Sequence, residues 1–338
     1  MKSTGQLWFM LPFGYSFTMD FKTILLEEID IEDETYRISE ELDSVPVLNS
    51  LKEIGQLNPV LLLDQFPAKI IVCGFRRIRA LRKLNKGRVL ARILSKESHS
   101  MFRCFELSLW DNLSHRKLNP LEKARLLYKL MNVCGVSGAV LIETYLPLLD
   151  LAPHKSVLES YIMLNGIHPT LRLCLVEDQL TLSSVDSLAG MPYDVQGRMA
   201  SLMGRIRLSA SLQRKVLALL EELSAMAGGR MDAPLDDPMV QSILDDFRLS
   251  PFQKGDKLHE ILYRMKYPRL CKALDRFQAS RKQLELPGSV RIIPHPFFET
   301  GDLRVEFQAA SAESFRELAD ALHSAAQSPK LEELFHVV

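Results

Sequence analysis

Apolar residues recur at helical spacing across residues 47–55, with Leu48, Leu51 and Ile54 on one face and Gly55 suited to a left-handed C-cap at the end. Two short, continuous apolar runs follow at 59–63 and 70–73, separated by a polar turn containing Pro67, and they predict strands. The second run stops at Gly74. Residues 78–84 then read as a basic amphipathic helix and 89–94 as another strand, which predicts a compact α/β unit centred on a strand, a glycine turn and a helix.

From Phe105 to about Ala227 the period is helical. Asn119-Pro120-Leu121-Glu122 is a helix start, with Asn as cap and Pro at the first helical position, and this helix is expected to run to Gly135. Residues 140–149 and 156–164, joined by Asp150-Leu151-Ala152-Pro153, have the form of a helix-turn-helix. Further helices are predicted around 169–177, 181–188 and 194–203. Gly228-Gly229 opens a linker composition that leads into mixed helical sequence around 257–284. The end reads as a β-β-α module: strands at 290–293 and 303–307 with a turn at Gly301, then a helix over 312–325 with Phe315, Leu318 and Leu322 on one face. Two strands and a helix bury too little apolar surface alone, so this module is expected to pair with a second copy.

Composition sharpens the picture. The chain has 338 residues, 47% of them hydrophobic, with 42 basic and 42 acidic side chains, enough for two or three globular domains. Zero formal net charge argues against indiscriminate electrostatic DNA binding. No apolar run approaches the roughly 20 residues needed to cross a bilayer. The segment Leu7-Trp8-Phe9-Met10-Leu11 lacks a basic leader and a small-residue cleavage site, so neither export nor a membrane partner is expected and the location is cytoplasmic. The cysteines, Cys73, Cys104, Cys134, Cys174 and Cys271, are too scattered for a zinc site or a disulfide framework. His115 and His154 have no metal-ligand spacing, and no Ser-His-Asp or Cys-His arrangement has support.

The charges are unevenly placed. Residues 27–43 are acidic, whereas between Asp64 and Glu97 no acid occurs and Lys69, Arg76, Arg77, Arg79, Arg82, Lys83, Lys86, Arg88, Arg92 and Lys96 follow one another. Either an anion binds there or the acidic segment balances a solvated helix face. A glycine closing a buried strand and opening a basic helix aims backbone N–H groups and the helix dipole at an anion, and the arginines add forked donors. Gly74, Arg76 and Arg77 therefore form a candidate polyphosphate cradle.

Three strings resemble the ParB family in order and spacing: Ser50-Leu51-Lys52-Glu53-Ile54-Gly55-Gln56-Leu57-Asn58-Pro59-Val60, then Gly74-Phe75-Arg76-Arg77-Ile78-Arg79-Ala80, then Asp111-Asn112-Leu113-Ser114-His115-Arg116-Lys117-Leu118-Asn119-Pro120-Leu121-Glu122. The resemblance implies an α+β multidomain protein: a ParB/sulfiredoxin-like nucleotide-binding domain at 20–104, a helical DNA-binding domain with its helix-turn-helix at 105–227, a linker and helical insert at 228–286, and a β-β-α dimerisation module at 287–326. It implies a DNA-binding partition protein in the bacterial nucleoid, a CTP- and Mg2+-dependent clamp that loads at a centromere-like site and slides on double-stranded DNA. It also implies a homodimer and a ParA-type ATPase as partner.

Residue by residue, Gly74, Arg76, Arg77 and Arg116 would hold nucleotide, Asn112 would contact nucleotide and metal, and Asp111 stands where the family has the Glu linked to hydrolysis. Arg37 and Ser39 of Tyr36-Arg37-Ile38-Ser39 are further pocket candidates, with an ordinary surface pair and a turn hydroxyl as the alternative. His154, Lys155, Ser156 and Ser160 would read DNA, although this helix also carries Glu159 and offers few cations. The family's Glu after the glycine is Phe75 here, which separates phosphate binding from turnover; any CTPase activity is expected to be weak, with nucleotide as a switch. Sulfiredoxin-like proteins carry Cys at that position, so peroxiredoxin repair is disfavoured. The alternative reading is a ParB-fold transcriptional regulator or adaptor that binds a divergent DNA site or a protein without hydrolysing CTP.

Overall fold

The computed structural model describes residues 21–295, 298, 300 and 302–335. The apolar segment at 7–11 and the expected turn at Gly301 lie outside the described residues. The chain divides into two compact units. One runs to Asp178 and takes in Val185–Met191; the other comprises Gln179–Ser184 and the chain from Pro192 onward.

In the first unit, strands β1 (Phe21–Leu25), β2 (Ile29–Asp30), β3 (Val60–Asp64), β4 (Lys69–Cys73) and β5 (Arg88–Ser95) form one sheet in the order β1-β5-β3-β4-β2. β3 is its centre, parallel to β5 and antiparallel to β4. That position explains the unbroken apolar runs: Val60, Leu62, Ile71 and Val72 are all buried, so neither face of the central strands needs polar residues. β1 pairs antiparallel with β5 as an edge strand in which only Ile24 is buried. A single inward residue leaves no alternation, which is why the hydrophobic pattern assigned it no element.

Helix α1 (Val45–Glu53) precedes β3 and turns out through Gly55 at φ 73°, the left-handed step that its glycine predicts. Helix α2 (Phe75–Lys83) leaves β4 directly through Gly74 and packs against α1. Helix α3 (Met101–His115) lies against β4. Helix α4 (Pro120–Asn132) begins on the expected cap: the Asn119 side chain accepts from the Glu122 N–H at 2.9 Å while Glu122 reaches back to the Asn119 N–H at 3.1 Å. A helical stretch containing a π-helical turn at Leu141–Tyr145 and the helix Lys155–Met163 make the expected helix pair, joined through Asp150 at φ 56°.

The second unit is mainly helical, with Tyr193–Arg205, Ala210–Ala227, Pro238–Asp245, Pro251–Lys266 and Pro268–Gln283. Gly255 lets one of these helices pass close to another segment, since a Cβ there would lie 2.6 Å from the Arg207 carbonyl oxygen. Strands β6 (Val290–Pro294) and β7 (Leu303–Phe307) pair antiparallel and are followed by the helix Ala312–Ala326. The burial problem of this small module is met partly within the chain. Ile292, Leu303, Ala325 and Leu334 pack onto Phe277 and Leu284 at the end of the preceding helix.

Candidate nucleotide cleft

A cleft of about 930 Å³ opens between α1, the turn after β4 and α3. Gly74 is built for close approach: its φ of 102° is left-handed, and a Cβ there would stand 2.7 Å from Val60 Cγ1. Helical bonding begins with the Ile78 N–H to the Gly74 carbonyl, so the N–H groups of Phe75, Arg76 and Arg77 precede it and sum with the dipole at the cleft.

The arginines are already held by main-chain oxygens. Arg77 donates to the carbonyls of Asn58 at 2.9 Å and Pro59 at 2.6 Å, and stands 4.0 Å from the Asp111 carboxylate. Arg76 donates to the Glu41 carbonyl at 3.0 Å and lies 3.7 Å from Glu122. The Asn58–Pro59 loop is itself fixed by Gln56, whose amide makes both a donor and an acceptor bond of 2.8 Å with the Leu90 backbone of β5.

Glu122, only 1% exposed, is the electrostatic centre of the site. It pairs with Arg116 and accepts from the backbone N–H groups of Asn119 and Glu40, each at 3.1 Å. Burial alone pushes its carboxyl up, but the Arg116 hydrogen bond and charge together with the two backbone donors outweigh that and hold it below the usual carboxylate range. Arg116 also donates to the Ser39 hydroxyl at 3.1 Å and to Asn112 Oδ1 at 2.9 Å. Sequence reasoning found Glu122 only as a helix cap. Its second role could have been suspected from the same cap, because an acid at the third helical position beside two arginine-bearing boxes needs cationic partners when buried.

A strap over residues 34–41 closes this side of the cleft. Glu40 pairs with Arg125 at 2.6 Å and Arg172 at 2.8 Å, and Arg125 donates to the Ser39 carbonyl at 2.6 Å. Lys129 donates to the Arg37 carbonyl at 2.9 Å, and burial pulls its ammonium down to about 8. Of the residues singled out from sequence, Gly74, Arg76, Arg77, Asp111, Asn112, Arg116 and Ser39 all line the cleft. Arg37 does not. Its guanidinium turns back to the Ser39 carbonyl at 2.8 Å and to Glu34 within the strap, so it shapes the wall from behind.

The oxygen donors in the cleft include the Asp111 carboxylate and Asn112 Oδ1, and the latter is engaged by Arg116. Among the described residues no group of three His, Cys, Asp or Glu side chains forms a metal site. Burial and the nearby Asp111 carboxylate push the Cys73 thiol well up, so it is a neutral group beside the glycine turn, not a sulfur nucleophile. Part of the basic stretch is balanced by the acidic segment before it: Asp43 pairs with Arg79 at 3.3 Å and Lys83 at 2.9 Å.

The predicted DNA-reading residues stand apart from the cleft, on the helix Lys155–Met163. His154, Lys155 and Ser156 are exposed and Ser160 is half-buried, while Leu158 and Tyr161 face inward. Lys155, 81% exposed, pairs with Glu159 at 3.4 Å. Among the described residues no helix is long and apolar enough to cross a membrane.

No family model matches the chain. Over 95 residues it is 33% identical to a protein described as a probable chromosome-partitioning protein ParB from Campylobacter jejuni, a match that covers 28% of this chain and only about a third, 33%, of that relative's length. A probable chromosome-partitioning protein ParB from Helicobacter pylori is 22% identical over 223 residues, covering 62% of this chain and 72% of the relative. The solved structure of a C-terminally truncated chromosome-partitioning protein ParB from Caulobacter crescentus complexed with CTP-gamma-S shares 21% identity over 54% of this chain and 98% of its own, with a TM-score of 0.23. A global superposition of that quality bears on neither the fold nor the site. Three ordered sequence boxes converge on one cleft and two curated relatives carry the same description, so the chain is similar to chromosome-partitioning proteins of the ParB family.

Proposed function

We propose that the chain is a DNA-binding partition protein that works as a nucleotide-switched clamp, with CTP and Mg2+ held in the cleft around Gly74. One observation carries this reading: seven residues from three separate stretches, Ser39, Gly74, Arg76, Arg77, Asp111, Asn112 and Arg116, line a single cleft at a helix N-terminus. The fit to phosphate rests on the Gly74 turn, where a side chain is sterically excluded and the helix's first three backbone donors precede its internal bonding.

The residues of the chain suggest how a nucleotide would act as a switch. Arg76 and Arg77 are hydrogen-bonded to the neutral carbonyls of Glu41, Asn58 and Pro59, while the Glu122 and Asp111 carboxylates stand further off at 3.7 and 4.0 Å. Phosphate oxygens are stronger, charge-assisted acceptors for the same guanidinium forks. Their arrival draws both arginines inward and releases the strap end at Glu41 and the 58–59 loop, so that binding is converted into movement of the cleft walls. Glu40 carries that movement to Arg172 on the helix Pro169–Val176, beyond the helix pair proposed to read DNA. Asp111 is the candidate for any slow turnover; Phe75 is buried and supplies no carboxylate where the family has one.

The proposed DNA face is His154, Lys155, Ser156 and Ser160, and pairing with a second copy is assigned to the β6–β7 module, where Ile293, Val305 and Phe315 remain exposed. A ParA-type ATPase is the further partner, and binding to DNA would place the protein in the nucleoid. The second reading, a ParB-fold regulator or adaptor without CTP hydrolysis, is favoured by the pairing of Lys155 with Glu159 and by zero net charge. Sequencing DNA that co-purifies with the protein separates them. One site with broad flanking enrichment is expected of a sliding clamp, and many narrow peaks would mean conventional regulation.

A further inference from the structure

The lining of the cleft is chemically divided. Beside the glycine turn and its arginines, Val47, Leu51, Leu57, Leu61, Leu107 and Trp110 contribute apolar surface to a wall that polar side chains otherwise share. Two of these are left in water to a degree unusual for their size, Trp110 at 54% and Leu57 at 70% exposure. Trp110 sits three residues after Leu107 and four before Ser114 on α3, so the helix aligns all three on one face, and all three line the cleft. The next residue, Asp111, reaches Arg77 at 4.0 Å, which puts the indole one helical position from the carboxylate that borders the cationic group. Among the described residues no aromatic ring or cation is stacked on Trp110.

We infer that Trp110 is the platform on which the planar base of a cleft-bound nucleoside triphosphate stacks, its phosphates directed to Gly74, Arg76 and Arg77; this rests on the nucleotide reading of the cleft. An indole offers a broad, rigid π-face whose water must be displaced by something flat, and Leu57 and Val47 extend the apolar surface around it. Stacking is tolerant of base identity, because every base has a π-face. Trp110 therefore supplies affinity for the base as such, while choice among bases is left to contacts at the base edge.

Calorimetry on the full chain tests this with two probes, CTP and inorganic tripolyphosphate, each with Mg2+, against wild type, Trp110→Ala and Trp110→Phe. Loss of the ring is expected to weaken CTP about tenfold, to leave tripolyphosphate within about twofold, and to be largely restored by Phe, which keeps a π-face. In a Trp8→Phe background, the remaining indole emission should change on addition of CTP and not of tripolyphosphate. Unchanged CTP affinity in Trp110→Ala overturns the inference, as does an equal loss of both probes, which would mark the ring as a support of the wall. If the Ala variant keeps CTP affinity but loses CTP-dependent self-association, the ring is covered by a second copy instead. A wild-type protein that binds neither probe is a separate result, because it removes the nucleotide reading itself.

Discussion

In the cleft almost every charged side chain is committed. Arg76 is held by Glu41 and Glu122, Arg77 by Asn58 and Pro59, and Arg116 by Glu122, Ser39 and Asn112. On the helix Lys155–Met163, within the same unit, His154, Lys155 and Ser156 stand in solvent, and Lys155 makes an exposed pair with Glu159. The cleft is specified from within, because removing any one partner strands another in a part-buried site. The helix is specified from outside: its inner face must pack, but its outer face answers only to what binds it. The same unit thus joins a region where substitution costs stability to one where it changes recognition alone.

Glu122→Gln should break the committed region most severely. It leaves Arg116 and Arg76 facing a neutral amide in a buried setting, and a loss of about 3 kcal/mol in urea denaturation is expected. The pH dependence has a fixed sign. The carboxyl of Glu122 is held below its unfolded value of about 4.3, so its contribution is present above that value and lost as pH falls through the lower folded one. Wild type should therefore lose stability more steeply than the Gln variant below about pH 4.

Gly74→Ala comes next. It forces a side chain into left-handed backbone 2.7 Å from Val60, and should cost about 1–3 kcal/mol while abolishing CTP binding in calorimetry. Were binding to survive, the glycine turn would not be where phosphate lies. Lys155→Glu should be the mildest for the fold, within about 0.5 kcal/mol in the same denaturation assay. Its effect belongs to DNA: weaker binding, with the salt dependence reduced by about one counterion. A marked loss of stability in this variant would erase the contrast between the two regions.

The sequence made the committed region legible where its chemistry is local. A glycine at the end of a buried strand, a basic helix after it, and Asn119 three residues before Glu122 each declare their geometry within a few positions. What stayed hidden depends on distant partners. Glu122 serves as the hub because Glu40 and Arg76 reach it from remote stretches, and Arg37 turns away from the cleft because Glu34 and the strap carbonyls claim it. β1 escaped notice because an edge strand with one inward residue has no pattern. The packing of the terminal module onto Phe277 and Leu284 was likewise invisible, since periodicity says which face is apolar and not what covers it.

The central claim is that the cleft around Gly74 binds a nucleoside triphosphate as part of a DNA clamp. Calorimetric titration of CTP with Mg2+ into the full chain, in the presence of the DNA that co-purifies with it, tests this most directly. Saturable binding that disappears in Gly74→Ala is the predicted result. Absence of CTP binding with that DNA present would contradict the clamp account.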